Sequence, residues 1–282
     1  MQSTALNAPA APPLGWHLLR ALRALRAVVG REVLKFLRQP ARLASALVRP
    51  LLWFVVFAAG FHNVFGVAII PPYETYIEYK VYMLPGLLGM IALFNGMQSS
   101  LSLVYDREMG VMRLLLTAPL ARAWLLGFKL LAGTTLSVLQ MVVFVAVAWV
   151  FDVRFDAAHL AMALPVMVAA ATLLAALGLM LSVYVRQLEN FAGAMNFVIF
   201  PMFFISPALY PLWKLEEAGA LWLHTLASYN PFTHAVEAMR FALYGQWHPV
   251  SLTVVVAGIG VCFALALRGY DPQRGWIRQR GG

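Results

Sequence analysis

Long apolar runs alternate with short polar connections over most of this 282-residue chain. A helix that crosses a bilayer needs about 20 mostly apolar residues. Six runs reach that length, near Leu47–Gly66, Met83–Val104, Leu125–Val150, His159–Val185, Phe191–Leu212 and Val250–Leu267. The pattern predicts an all-α integral membrane protein with six transmembrane helices. His62 and Asn63 blur the edge of the first run. The fifth is aromatic-rich (Phe197, Phe200, Phe203, Phe204, Tyr210, Trp213) and broken by Pro201, Pro207 and Pro211. Such breaks at membrane depth are tolerated where neighbouring protein satisfies the freed backbone groups.

Shorter amphipathic segments stand outside the runs. In residues 14–42, Leu18, Leu19, Leu22, Leu25 and Val29 recur at helical spacing, with Arg20, Arg23 and Arg26 between them. The apolar face of such a helix enters the bilayer interface while its Arg heads meet lipid phosphates. Gln39-Pro40 is its stop signal. A second segment, YDREMGVMRLLLTAPLARAW from Tyr105 to Trp124, has the densest mixture of both charge signs. Asp106 and Glu108 suit the partly positive N-terminal end of a short helix. Met109, Met112, Leu115 and Leu116 give it an apolar stripe, and Pro119 redirects the chain into the third run. A further helix begins at Asn230-Pro231, a cap followed by proline at the first helical position. Phe232, Val236, Met239 and Leu243 share one face, Glu237 and Arg240 are spaced to pair on another, and Gly245 stops the helix.

Composition supports lipid as the solvent. The chain is 62% hydrophobic and 12% charged, where a soluble domain carries about 25% charged residues. A net charge of +9 would suggest nucleic acid in a soluble protein, but its distribution reads as topology. With both termini cytoplasmic, all but four of the 21 Lys and Arg residues fall on the cytoplasmic side; the exceptions are Lys80, Arg154, Lys214 and Arg240. Positive-inside bias of this strength predicts both termini inside; the expected location is a bacterial cytoplasmic (inner) membrane. Residues 1–13 are uncharged and rich in Ala and Pro, and the Arg-rich segment follows them. That order is wrong for a secretory signal peptide and predicts a disordered tail. The chain thus divides into a tail (1–13), an interfacial helix (14–42), a six-span domain (43–268) and a basic cytoplasmic tail (269–282).

Several chemistries have no residues to support them. There is no GxxxxGK[ST] phosphate loop, no HExxH, and no GxSxG elbow. The six histidines are scattered, and the single cysteine, Cys262, excludes an intramolecular disulfide and a multi-cysteine metal site. No catalytic or metal-ligating residue is assigned. Ion-coupled transporters need ionisable groups near the midplane, whereas the mid-span polar residues here are neutral: Asn95, Gln98, Ser99, Ser100, Gln140 and Asn196. Two readings fit these groups, hydrogen bonding between helices or the lining of a substrate path. An active transporter of this composition needs an external motor. An ion-coupled transporter or channel, a membrane enzyme and a membrane scaffold are the rival classes.

Three stretches resemble the membrane subunits of type-2 ABC exporters (ABC-2 type permeases): MLPGLLGM (Met83–Met90), DREMGVMRLLLTAPLARAWLLGFKL (Asp106–Leu130), and Phe200–Gly245 with FPMFFISPALYPLW and NPFTHAVEAMRFALYG. The resemblance covers roughly residues 15–268. It implies a six-span permease working as a homodimer with a separate ATPase subunit that carries the ATP and magnesium. It implies that Asp106, Arg107, Glu108, Met109 and Gly110 contact that ATPase through a coupling helix, and that residues 14–38 form a connecting helix. It also implies that residues 213–246 dip back into the outer leaflet as re-entrant helices. Asn95, Gln98, Asn196, Phe203 and Phe204 are the candidates for a translocation path or outer gate. For the fifth-run aromatics the plainer reading is an aromatic belt and core packing. The implied substrate is a lipid, a glycan-lipid, a drug or another amphiphile.

Overall fold

The computed structural model describes residues 40–60, 71–73, 75, 77–109, 122–185 and 187–270, with residues 23, 26, 27, 30, 34 and 38 individually. The predicted tails, most of the interfacial helix, and Gly110 with the coupling segment to residue 121 lie outside the described residues. The described helices are α1 (Pro40–Gly60), α2 (Tyr79–Glu108), α3 (Arg122–Val150), α4 (Ala157–Tyr184), α5 (Leu188–Phe204), α6 (Trp213–Glu217), α7 (Leu221–Tyr229), α8 (Pro231–Ala242) and α9 (Pro249–Gly269). No strand occurs among the described residues.

Four helices are long and apolar enough to cross a membrane, over Tyr79–Asp106, Ala123–Val150, Ala157–Tyr184 and Pro249–Gly269. The expected count of six is reached only by adding two shorter apolar helices, Leu47–Phe57 within α1 and Leu188–Phe204. The fifth run differs most from expectation. Its helix stops at Phe204, not Leu212; Pro207 and Pro211 lack backbone donors where the helix would continue. With 17 residues, α5 is about 26 Å long, less than the about 30 Å hydrocarbon core. By contrast α2, with 30 residues, runs about 45 Å.

α2 and α4 form the centre, with α3, α8 and α9 around α4 and with α1 and α5 against α2. Their crossing depends on small residues. A Cβ at Gly96 would lie 2.8 Å from Ala175 Cα, and one at Gly178 would lie 2.7 Å from the Gly96 carbonyl. In lipid, helices gain little hydrophobic attraction for each other, so close backbone approach supplies the packing energy. The MLPGLLGM stretch has a related purpose. A Cβ on Gly86 would collide with the Ala208 backbone, and one on Gly89 would lie 2.9 Å from Val236 and 3.0 Å from Phe232. These two glycines are the seats on which the chain after α5 and helix α8 rest.

Three buried serines bond within their own helices. Ser100, Ser137 and Ser182 donate to the carbonyls of Gly96, Gly133 and Leu179. Between helices, Asn95 Nδ2 donates to Gln140 Oε1 at 2.6 Å, joining α2 to α3. Asn95 therefore makes the interhelical bond that was one of its two predicted uses.

Candidate functional site

The C-terminal end of α2 carries the root of the charged segment. Lys129 Nζ on α3 donates to Asp106 Oδ2 at 2.5 Å, both groups being mostly covered. The Leu188 N–H donates to Glu108 Oε1 at 3.4 Å, so Glu108 takes up one of the orphan donors at the start of α5. Met109, just past the end of α2, is 58% exposed. Arg107 is helical, with its side chain outside the described residues. Two of the predicted motor-contact residues thus tie α2 to α3 and to α5.

A crease runs along the face shared by α1, α2 and α5. On α1 its exposed residues are Val48, Arg49, Leu52, Val55 and Val56, and on α5 they include Asn196, Phe197, Phe200 and Phe204. Trp53 closes the outer half, with its ring centroid 5.7 Å from Phe203 and 5.9 Å from Phe204. Phe94 on α2 touches both flanks: Phe200 lies 6.4 Å away, and the Arg49 guanidinium sits 3.9 Å over its ring. Gln98 is one turn beyond Phe94 toward the C-terminal end of α2. Because α5 runs the opposite way, Asn196 is one turn beyond Phe200 in the same direction. Both amides are exposed. The two aromatic gate candidates separate here. Phe203 is 1% exposed and packs against Trp53 and Phe232, while Phe204 is 42% exposed on the crease. Arg49 was missed by the sequence reading, which counted it among the cytoplasmic charges. Phe94 lies near the middle of α2, so the charge over its ring sits far from either end.

The opposite end, at the N-terminus of α2, is a polar knot that fixes the break after α5. Asn230 caps α8 by accepting from the Phe232 N–H at 3.0 Å. Its amide donates to the carbonyls of Met202 and Ile205, each at 2.7 Å. Tyr79 donates to Leu209 O at 2.8 Å, Tyr82 to Pro207 O at 3.0 Å, and Arg240 Nη2 to Pro207 O at 2.6 Å. Arg240 also pairs with Glu237 as the spacing predicted. It is nevertheless buried, lying 4.2 Å over the Tyr82 ring. Beside it is a cavity of about 200 Å³ lined by Tyr73, Trp213 and Glu237 among others. Tyr73 Oη, Trp213 Nε1 and Arg240 Nε have no hydrogen-bond partner among the described residues. Burial pushes the Tyr73 phenol above its ordinary range and keeps it a donor. The cavity has room for several waters, each needing about 10–15 Å³.

No group of three His, Cys, Asp or Glu residues that could hold a metal ion occurs among the described residues. A family profile described as ABC-2 type transporter matches residues 23–244. The chain is 29% identical over 250 residues to the ycf38 transport permease of Pyropia yezoensis, covering 86% of this chain and 81% of that protein. It is 30% identical over 224 residues to the ycf38 permease of Porphyra purpurea, covering 78% and 74%. It is also 24% identical over 250 residues to the daunorubicin resistance ABC transporter permease protein DrrB1 of Streptomyces coeruleorubidus, covering 85% and 83%.

Proposed function

The chain belongs to the ABC-2 type transporter permease family, and from that premise we propose that it is the translocating subunit of an ATP-driven exporter. Two copies meet along the α1, α2 and α5 crease and enclose the path, in a bacterial cytoplasmic membrane with both termini inside. A separate ABC ATPase binds ATP and magnesium and grips the segment that begins at Asp106 and Glu108. The cargo is an amphiphile: a lipid, a glycan-lipid or a drug.

The observation that carries this reading is the bonding at the root of the charged segment. Asp106 ties α2 to α3 through Lys129, and Glu108 ties it to the start of α5. A pull on the segment is thereby shared among three helices, two of which line the crease. The exposed amides of Gln98 and Asn196 add support, because a polar group on a lipid-facing surface is costly whereas one on a wet path is not. The α6, α7 and α8 helices fit the re-entrant role, since a 17-residue α5 leaves part of the outer leaflet to be filled.

The test is purification of the full chain with its ATPase and measurement of ATP hydrolysis. Glu108→Gln keeps an acceptor for the Leu188 N–H and removes the charge; Glu108→Lys reverses it. The expected order of ATPase binding and stimulated hydrolysis is native, then Gln, then Lys. Full binding and stimulation by the Lys variant would show that the ATPase grips elsewhere.

A further inference from the structure

Arg49 is the charge on the crease that the transport reading has not used. It is exposed on α1, and no carboxylate pairs with it among the described residues. Its guanidinium lies 3.9 Å over the Phe94 ring, a contact that occupies one face of the plane and leaves the N–H edges free. Phe94 is roughly 21 Å from each end of α2 at 1.5 Å per residue. That places the cation beside the middle of the longest described helix.

A charge at that depth is expensive and marks a path or a counter-ion. The described residues around it offer no counter-ion. Gln98 and Asn196, one turn away, are neutral amides that can both donate and accept. Phe200, Phe204 and Leu52 supply the apolar part of the same face. An uncompensated guanidinium, two amides and an apolar rim match an amphiphile whose polar end is negatively charged. They reject one whose polar end is cationic, since two like charges at close range repel.

We propose that Arg49, with Gln98 and Asn196, forms a binding site for the anionic head group, phosphate or carboxylate, of an amphiphile in the crease. The proposal rests on the transport reading for its purpose, but binding itself can be measured on the chain without an ATPase. The purified full chain in phosphatidylcholine nanodiscs is titrated with three fluorescent probes of identical tail: a lysophosphatidic acid, a monoacylglycerol and an alkyl-trimethylammonium. The phosphate probe is expected to bind at least about tenfold more tightly than the cationic one, the size of one charge-assisted hydrogen bond. Arg49→Gln is expected to remove that preference and Arg49→Lys to keep most of it, both variants remaining folded because the side chain is exposed. Equal affinity for the three probes, or an unchanged preference in Arg49→Gln, overturns the site. Vesicles containing the chain and its ATPase then separate two sources of the same chemistry. ATP-dependent transfer of the phosphate probe identifies cargo, and binding without transfer identifies a resident bilayer lipid. A complex that binds the phosphate probe but hydrolyses no ATP refutes the exporter reading and leaves the Arg49 site standing.

Discussion

Replacing Asn230 tests how the break after α5 is held. Its side chain makes three bonds at once: the cap to the Phe232 N–H, and the amide bonds to the Met202 and Ile205 carbonyls. Those carbonyls belong to the last turn of α5, where no intrahelical donor follows. Losing an N-cap costs about 1 kcal/mol. Leaving a buried acceptor without a donor costs about 1–3 kcal/mol, and here two are orphaned. Asn230→Ala is therefore expected to destabilise the fold by about 3–7 kcal/mol, several times a simple cap loss. Asn230→Asp keeps the cap acceptor but points carboxylate oxygens at two carbonyls, so it is expected to be at least as damaging. Reversible unfolding in mixed micelles measures both. An Asn230→Ala loss of only about 1 kcal/mol refutes the reasoning, because the amide would then hold nothing beyond the cap.

Two further outcomes follow from the same geometry. Phe203→Ala is expected to cost about 3–5 kcal/mol as a buried packing loss, whereas Phe204→Ala is expected to leave unfolding nearly unchanged and alter transport; equal effects on both readouts refute the split. For the Asp106–Lys129 pair, Asp106→Asn and Lys129→Met alone are each expected to destabilise more than the double change, since either alone leaves a mostly covered charge unpaired; additive losses in the double-mutant cycle count against the pair.

The helical architecture was legible because apolar runs of spanning length have few alternatives. The Asn230-Pro231 start and the Gly245 stop were equally plain, as both are local chemistry: Asn230 does cap α8, and Gly245 has φ +71°. Depth was not legible. The spacing of Glu237 and Arg240 announced a pair but could not say that the pair is buried against Tyr82. Arg49 looked like a flanking charge because the apolar stretch starts at Leu47. Only the packing of α1 on α2 puts it over Phe94. The run to Leu212 is almost wholly apolar, yet hydropathy does not distinguish a helix from an irregular segment whose carbonyls are bonded by Tyr79, Tyr82, Asn230 and Arg240. MLPGLLGM showed its glycines without showing what rests on them.

Those bonds also indicate which side of the crease can move. At its N-terminal end α2 is joined to the segment after α5 by directional bonds from Tyr79 and Tyr82, and at its other end Glu108 bonds to the start of α5. Asn230 fastens α8 to α5. Bonds with a preferred length and angle at both ends of a helix pair resist sliding. α1 meets this block through Trp53 against Phe203 and Phe204 and Arg49 over Phe94, and meets the end of α3 through Phe54 against Phe144 and Phe151. Ring contacts are short-ranged and only weakly directional, and they re-form after a shift of one rotamer. A displacement entering at Asp106 and Glu108 is therefore expected to carry α2, α5 and α8 as one body. The strain falls on the α1 seam, which parts at Trp53 and draws Arg49 away from the Phe94 ring.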